Sequence, residues 1–422
     1  MKLFFRAIVI LAGLAILTAG CVSPKDSPKD QGVEHGFSSK DVRKSFSLMT
    51  YNVENFFDTQ DDPAKNDQTF LPLAKKQSVA HKNFCRKISK KSWRDECLYL
   101  DWSEEVLEEK MRRLAAVIVS VNTSDHNQSQ SQSQSPNQNQ HPNPNQIPNP
   151  NPNPNSTPRC PDVLVLQEVE NIEVLRRFND KHLGECGYSE PILIEGHDKR
   201  GIDVAMLSRL NLVEVPQLRE IPFRGKAKKV VGDSRGILKA TFELGGDELV
   251  TVFGVHFPAP FHPKVSRIQA FKFLGELAAV ERAKGRLVIA AGDFNVPSDE
   301  EHKISVWNNA AESECKESYR ANGLDISAMA TSKATAAAAA KKLEKCRGTT
   351  YYPPKKSWSF LDKVLVQSQH SKWQVQDSVT RVVNDQDFQR DAQGFPYSQS
   401  VVSGKYLGVS DHWPIVVLLK RN

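Results

Sequence analysis

The sequence predicts an α/β (α+β) fold, a four-layered sandwich of two packed mixed β-sheets flanked by helices. Short apolar runs of strand character recur along the chain. One segment carries a clean helical stripe, and a second helix falls between two strands. Several strands also follow one another directly, which a regular parallel barrel would not allow.

The body starts near Ser45, where Phe46-Ser47-Leu48-Met49-Thr50-Tyr51 has strand character. Ser103 opens a helix. Leu107, Met111, Leu114, Ile118 and Val121 follow at spacings of four and three, one apolar face, and Glu104 and Glu105 suit the dipole at its start. Further strands are read at Asp162–Leu166, Ile202–Leu207, Leu249–Val255, Leu287–Ala291, Leu361–Val366 and Pro414–Leu419, with a helix at Arg267–Arg282. Asn122–Pro158 is Ser/Gln and then Asn-Pro repeats. It has almost nothing apolar to bury and is expected to be a disordered insertion without catalytic importance. Thr331–Leu343 is Ala- and Lys-rich and carries no recognisable chemistry. One domain therefore spans 46–422, interrupted at 122–158.

The chain of 422 residues is 39% hydrophobic and 25% charged, enough for a sizeable core. Its net charge of +6 falls to +4 without Lys2 and Arg6. That is a mild bias towards anionic partners, far short of a dedicated nucleic-acid binder. Residues 1–20 read as a secretory signal: a short basic start, an apolar run from Ile8 to Thr18 that is short for a membrane span, then Ala19-Gly20. Leu17-Thr18-Ala19-Gly20-Cys21 resembles a bacterial lipobox, which implies acylation of Cys21. Residues 21–45 would then tether the domain to a bacterial membrane. Val22 is not Asp, so the outer membrane is the default for this exported protein. No protein partner is expected, and the chain is read as a monomer.

Six further cysteines, an even number in an exported chain, suggest disulfides. Six allow about 15 pairings. The simplest is sequential, Cys85–Cys97, Cys160–Cys186 and Cys315–Cys346, and none has zinc-site spacing.

The informative pattern is where polar residues fall. The first strand ends in Asn52-Val53-Glu54-Asn55, the next in Gln167-Glu168, another in His256, and another in Gly292-Asp293-Phe294-Asn295. Ser410-Asp411-His412 precedes the last strand. Carboxylates and amides are hard oxygen ligands for Mg²⁺, Mn²⁺ or Ca²⁺, and histidines supply acid and base groups near neutral pH. Singly, each residue is better read as a turn residue, surface acid or structural histidine. Jointly, with Arg200-Gly201-Ile202-Asp203-Val204-Ala205 and Phe360-Leu361-Asp362, they resemble the endonuclease/exonuclease/phosphatase superfamily over roughly Phe46–Leu419.

The resemblance implies a divalent-metal-dependent phosphoesterase. Glu168 would be the central metal ligand, with Asn52, Glu54 and Asp411 around it. Asp293 would position or deprotonate the attacking water, and Asn295 would hold a phosphate oxygen. His412, oriented by Asp362, would be one acid/base group. His256 would protonate the leaving oxygen, with Asp203 as its partner. Arg235, in Asp233-Ser234-Arg235-Gly236, and Arg200 would approach the phosphate. Three substrate readings stay open: nucleic acid, which the motif context favours; a sphingomyelin-like phospholipid; and a small phosphate monoester. Phe223–Lys229 reads as a basic loop facing either an anionic polymer or solvent. Tyr351–Trp358 mixes aromatics with lysines, for stacking on bases, resting on a bilayer or packing at the domain edge. A binding lipoprotein without activity is the reading of another class. The intact set of Glu168, Asp293, Asn295, Asp411 and His412 counts against it.

Overall fold

Apolar alternation along the strands decides the layering. Met49, Tyr51 and Val53 of the first strand face one hydrophobic cluster, and Phe46 and Leu48 face another. The computed structural model describes residues 42–121, 160–232, 234–297, 300, 348–367, 372–376, 380–402 and 404–422. The signal segment with Cys21, the tether up to residue 41, the 122–158 insertion, Asp233, Thr331–Leu343 and the Cys315–Cys346 pairing lie outside them.

With strands numbered along the chain, one mixed sheet has the order β12 (Trp373–Val375), β16 (Ile415–Arg421), β1 (Ser45–Phe56), β2 (Val163–Val169), β4 (Asp203–Ser208), β3 (Ile192–Leu193), and β13 (Arg381–Val382) also pairs with β16. The second has the order β11 (Asp362–Gln367), β8 (Leu287–Asp293), β7 (Glu248–His256), β6 (Ile237–Gly245), β5 (Gln217–Arg219). Parallel pairs occur in both, β1 with β2 and β7 with β8, among antiparallel neighbours. Two small hairpins, β9 (Thr350–Tyr352) with β10 (Ser357–Ser359) and β14 (Ser400–Val402) with β15 (Lys405–Leu407), lie apart from the sheets.

Three buried clusters define the four expected layers. Between the sheets, Phe46, Leu48, Val163 and Val165 meet Leu238, Val250, Ile289 and Val364. Gly254 permits this approach, because a Cβ there would lie 2.7 Å from Val204 Cγ1. Outside the first sheet, helices α3 (Glu104–Val119) and α4 (Ile172–His182) bury Leu107, Met111, Leu114, Ile118, Leu175 and Phe178. Outside the second, α5 (Gly225–Val231) and α6 (Lys264–Ala283) bury Ala227, Phe271 and Leu274 against Phe253, Val255 and Ala290. The predicted helix begins where expected, and Ser103 caps it by accepting from the Val106 amide at 3.4 Å.

Some expectations shift. The basic stretch Phe223–Lys229 is mostly the helix α5, because Ala227 gives it an apolar foot on α6. The tether is docked by its last residues, since the Arg43 amide donates to the Leu244 carbonyl at 2.9 Å. Two expected disulfides form, Cys85–Cys97, joining helices α1 (Val79–Arg86) and α2 (Lys91–Tyr99), and Cys160–Cys186. His81 lies against the first, but sulfurs committed to a disulfide are not metal ligands. Among the described residues no helix is long and apolar enough to cross a membrane.

Candidate active site

Register brings the polar strand ends together. In the second sheet His256 is paired with Asp293, and Asp293 with Asp362, so three expected site residues form one row across β7, β8 and β11. In the first, Asn52 pairs with Gln167, after which both β1 and β2 break register. Such bulges re-aim side chains at a sheet end. Here they leave Glu54, Asn55 and Glu168 in the left-handed region, with φ of 48°, 54° and 69°, and Asn295 joins them at 53°. A non-glycine residue held there costs about 1–3 kcal/mol, and such strain clusters at functional sites. Gly292, at φ 149°, is needed for Asp293 to reach its place, because a Cβ there would lie 2.0 Å from the Val255 carbonyl oxygen.

Asp293 is the hub of the row. Its Oδ2 accepts from Asn52 Nδ2 at 3.2 Å and Asn295 Nδ2 at 3.0 Å, and its Oδ1 accepts the Asn295 amide at 2.8 Å. Burial pushes its carboxyl up to about 7, while the His412 charge pulls the other way. His412 Nδ1 lies 2.7 Å from Asp362 Oδ2, the expected orienting pair. Burial opposes charge on His412, but Asp362 and then Asp411 outweigh it and hold the imidazole well above its ordinary range. The Ser410 hydroxyl links this segment to β1: it donates to the Asn52 carbonyl at 2.7 Å and accepts the His412 amide at 3.0 Å.

His256 behaves differently from the expectation. Its Nε2 lies 3.5 Å from Asp293 Oδ2 and 3.8 Å from Glu168 Oε1. Burial, then the charges of Arg235 and Arg200, hold it well below the usual range. Burial therefore disfavours charge on His256, whereas the carboxylates around His412 favour it. Asp203 is not its partner: among the described residues no hydrogen bond or ion pair joins them, and Asp203 Oδ1 accepts the Gly196 amide at 2.9 Å. Burial raises Asp203 to about 7.

The oxygen donors are split in the same way. Glu168 Oε2 accepts the Asn55 amide at 2.9 Å, while Oε1 stands 4.0 Å from the half-exposed Arg200. Asp411 presents its carboxylate to solvent beside His412, with Oδ1 3.9 Å from Nε2. Glu54, expected as a ligand, is already engaged. Its Oε2 accepts the amides of Gln399 at 2.8 Å and Asp411 at 3.0 Å, and Oε1 accepts from the Ser398 hydroxyl. It thereby clamps the Asp411 loop beside the site. Glu168 and Asp411 act electrostatically on one another, and with Asn52, whose Oδ1 accepts the Glu54 amide at 3.0 Å, they offer the oxygen donors that suit a hard divalent cation. Asp362 Oδ1, buried without a partner, adds to the anionic lining.

Both arginines reach the site in unequal ways. Arg235 is buried and paired with Asp198 at 3.0 Å, whereas Arg200 keeps 48% of its side chain exposed, so Arg200 is the one free to meet a phosphate. Lys110 was not legible as a site residue. It is fully buried, and its Nζ donates to the carbonyls of Val53 at 2.8 Å and Glu54 at 2.9 Å and to Gln399 Oε1 at 2.6 Å. The available signal was its place on the apolar face of α3, between Leu107 and Leu114.

The aromatic segment Tyr351–Trp358 packs on the body. Tyr351 stacks on Phe395 at 3.8 Å, and Trp358 lies 5.2 Å from Trp413, leaving Tyr352 exposed.

A model of the Endonuclease/Exonuclease/phosphatase family matches residues 107–412, and a second model of the same family matches 47–94. No curated protein matches. Among solved structures, the chain is similar to truncated TDP2 of Caenorhabditis elegans (12% identity, 89% of this chain and 97% of that one, TM-score 0.43). It is also similar to an endonuclease/exonuclease/phosphatase family protein of Bacteroides thetaiotaomicron (14%, 90% and 98%, 0.42) and to beta toxin of Staphylococcus aureus (15%, 88% and 99%, 0.41). With the sequence match spanning most of the 422 residues and the strand-end residues gathered on one face, the chain belongs to the endonuclease/exonuclease/phosphatase family.

Proposed function

We propose that this protein is a divalent-metal-dependent phosphodiesterase that cleaves nucleic acid at a membrane surface. The observation that carries the chemistry is the row His256–Asp293–Asp362 with His412 hydrogen-bonded to its end. Glu168 and Asp411, with Asn52, would hold the cation, Mg²⁺ in the first instance and Mn²⁺ or Ca²⁺ as alternatives. When bound, the cation neutralises the phosphate and the charge that develops on it. Asp293, with its carboxyl raised towards neutrality and three donors fixing it, suits the task of orienting a water and taking its proton. His412, charged and steered by Asp362, is the proton donor to the leaving oxygen. Neutral His256 and Asn295 face the phosphate, and Arg200 approaches from the rim. Nucleic acid is favoured over a bilayer substrate by the motif context, Arg200–Ala205 with Gly292–Asn295 and Ser410–His412, while the aromatics of 351–358, packed on Phe395 and Trp413, favour neither. Export and acylation at Cys21 belong to the same proposal.

The test uses the full chain in mild detergent with plasmid DNA, RNA and sphingomyelin micelles, in Mg²⁺, Mn²⁺ plus Ca²⁺, or EDTA, beside His412→Ala. Nucleic-acid cleavage that disappears in EDTA and in the variant is expected. Choline-phosphate release with intact plasmid and RNA would refute the nuclease reading and move the site to phospholipid. Separately, Cys21→Ser should release the protein from membranes, and continued membrane fractionation would sink the anchor.

A further inference from the structure

Beside the site, one corner combines an exposed aromatic ring with uncompensated positive charge. Five residues beyond His256, Phe261 is 82% exposed, its ring 4.3 Å from that of His262. An apolar ring so exposed is normally found on a pliable loop, but this loop is braced. Fully buried Arg267 of α6 donates to the carbonyls of Pro258, Ala259 and His262 at 3.2, 2.9 and 3.3 Å, and pairs with Glu300. Pro260 and Pro263 flank the pair and restrict the backbone further.

The basic helix α5 is held on the same half of α6. The Arg224 amide donates to Gln269 Oε1 at 2.8 Å, and Gln269 Nε2 donates back to the Arg224 carbonyl at 3.3 Å. Gln269 lies five residues into α6, so Phe261 and Arg224 are attached within about two helical turns of one another. Arg224, Lys226, Lys228 and Lys229 are all exposed, and among the described residues none has an acidic partner within ion-pair distance. Both features run directly into the site. Phe261 stands at most about 17 Å along the chain from His256. The helix ends four residues before Arg235, whose charge, after burial, helps lower His262.

We infer that the Phe261 loop and α5 form a track for the single strand next to the scissile phosphate, Phe261 stacking on an unpaired base and the lysines following the backbone. The inference rests on the nuclease reading and deepens it. Stacking on an aromatic needs an exposed base face, which a duplex interior does not offer, and stacking with basic residues is how single strands are held without sequence preference. A small diester does not reach this corner.

The test compares the full chain in detergent with Phe261→Ala and with Lys226→Ala/Lys228→Ala/Lys229→Ala. Each is assayed on a twelve-nucleotide single strand, its duplex and bis-p-nitrophenyl phosphate. Phe261→Ala should raise KM for the single strand about 10-fold, a base's worth of stacking, with turnover of the small diester as in wild type. The lysine variant should flatten the log KM against log salt slope by about 2, since each single-strand phosphate contact contributes about 0.7. Cleavage of the single strand with unchanged KM and salt slope in both variants overturns the track and leaves the nuclease reading standing. A wild-type protein that hydrolyses the small diester but neither oligonucleotide sinks both. Co-sedimentation of the same proteins with anionic phosphatidylserine vesicles is measured in parallel, and variants that lose only vesicle affinity would make the corner a lipid-facing surface and refute the track.

Discussion

Lys110→Met should cripple the enzyme without a single atom of the reacting row being changed. Methionine keeps the length and apolar stem of the side chain but removes the amino group, leaving the Val53 and Glu54 carbonyls without this donor, while Gln399 Oε1 keeps the Tyr406 hydroxyl at 3.3 Å. A buried group so orphaned costs about 1–3 kcal/mol. The carbonyls can partly relax, so a total of about 2–4 kcal/mol is expected for the two of them. That lowers the melting temperature by at most about 4–16 °C, since about 2–4 °C per kcal/mol holds for about 150–250 residues and is an upper bound for a longer chain. The effect on rate follows another path. Lys110 pins the turn whose next amide, on Asn55, holds Glu168 Oε2 at 2.9 Å, and it also bears on the Gln399 side of the Glu54 clamp. A shift of about 1 Å in a positioning group costs about 100-fold in rate. The assay is initial rate on bis-p-nitrophenyl phosphate against metal concentration, well below the melting transition, with a thermal melt of the same sample. The apparent metal affinity should fall together with kcat. A variant that melts lower but binds metal and turns over within two-fold of wild type would reduce Lys110 to packing and refute this reasoning.

Other consequences can be checked alongside. Asp362→Asn should lower kcat about 10²–10⁴-fold with KM little changed and shift the basic limb of the pH–rate profile, where the general acid loses its proton, to lower pH; an unaltered profile would remove Asp362 from His412's control. In EDTA the protein should lose stability as pH rises from about 5 to about 8, above which Lys110 and Lys76, lowered by burial to about 7 and about 8, oppose the trend. Burial raises Asp203 and Asp293 to about 7 and Glu170 to about 8, and Asp362 after burial's opposition raises His412. Folded-state values above the unfolded ones mean the native protein binds the extra protons, so their stabilisation is full below the unfolded values and is lost through the folded ones. Glu214 and Glu248, held at about 2 by their cationic partners, act only in acid. Melting curves at three pH values decide it, and a rising stability would contradict the burial of these carboxyls. Replacing Cys160 and Cys186 by Ser should cost about 2–4 kcal/mol, read as a lower urea midpoint without loss of the active-site geometry; unchanged stability would mean the bridge does not constrain the unfolded chain.

Much of this was legible because most site residues border a buried apolar run, following it or, at Asp362 and His412, preceding it, and buried runs are what a sequence displays most clearly. The order of strand ends therefore announced Asn52, Glu168, His256, Asp293 and His412. What stayed hidden depended on contacts distant in sequence. β6 was not read as a strand because Lys239, Thr241 and Glu243 interrupt its pattern. The first two are satisfied by Glu214, on another segment, and Lys239 also by Glu281 of α6. α4 carried a readable signal, Asn171 as cap with Val174, Leu175 and Phe178 on one face, but lies in the shadow of the preceding motif. The clamp on Glu54 joins residues more than 340 positions apart, and no local pattern encodes it. The loop-to-helix difference at α5 turns on one small residue, Ala227, amid lysines.

The left-handed residues carry a lesson for anyone who would improve this protein. Glycine adopts that backbone freely, so at Asn55, Glu168 and Asn295 it would relieve conformational tension and make the chain harder to melt. Two of those positions supply side chains to the site, and the third supplies the amide that holds Glu168. A library sorted on thermal robustness alone would thus be enriched in dead enzymes at Glu168 and Asn295, whereas glycine at position 55 would keep its amide and be tolerated, and that contrast under selection for turnover would map the catalytic side chains with no substrate in hand.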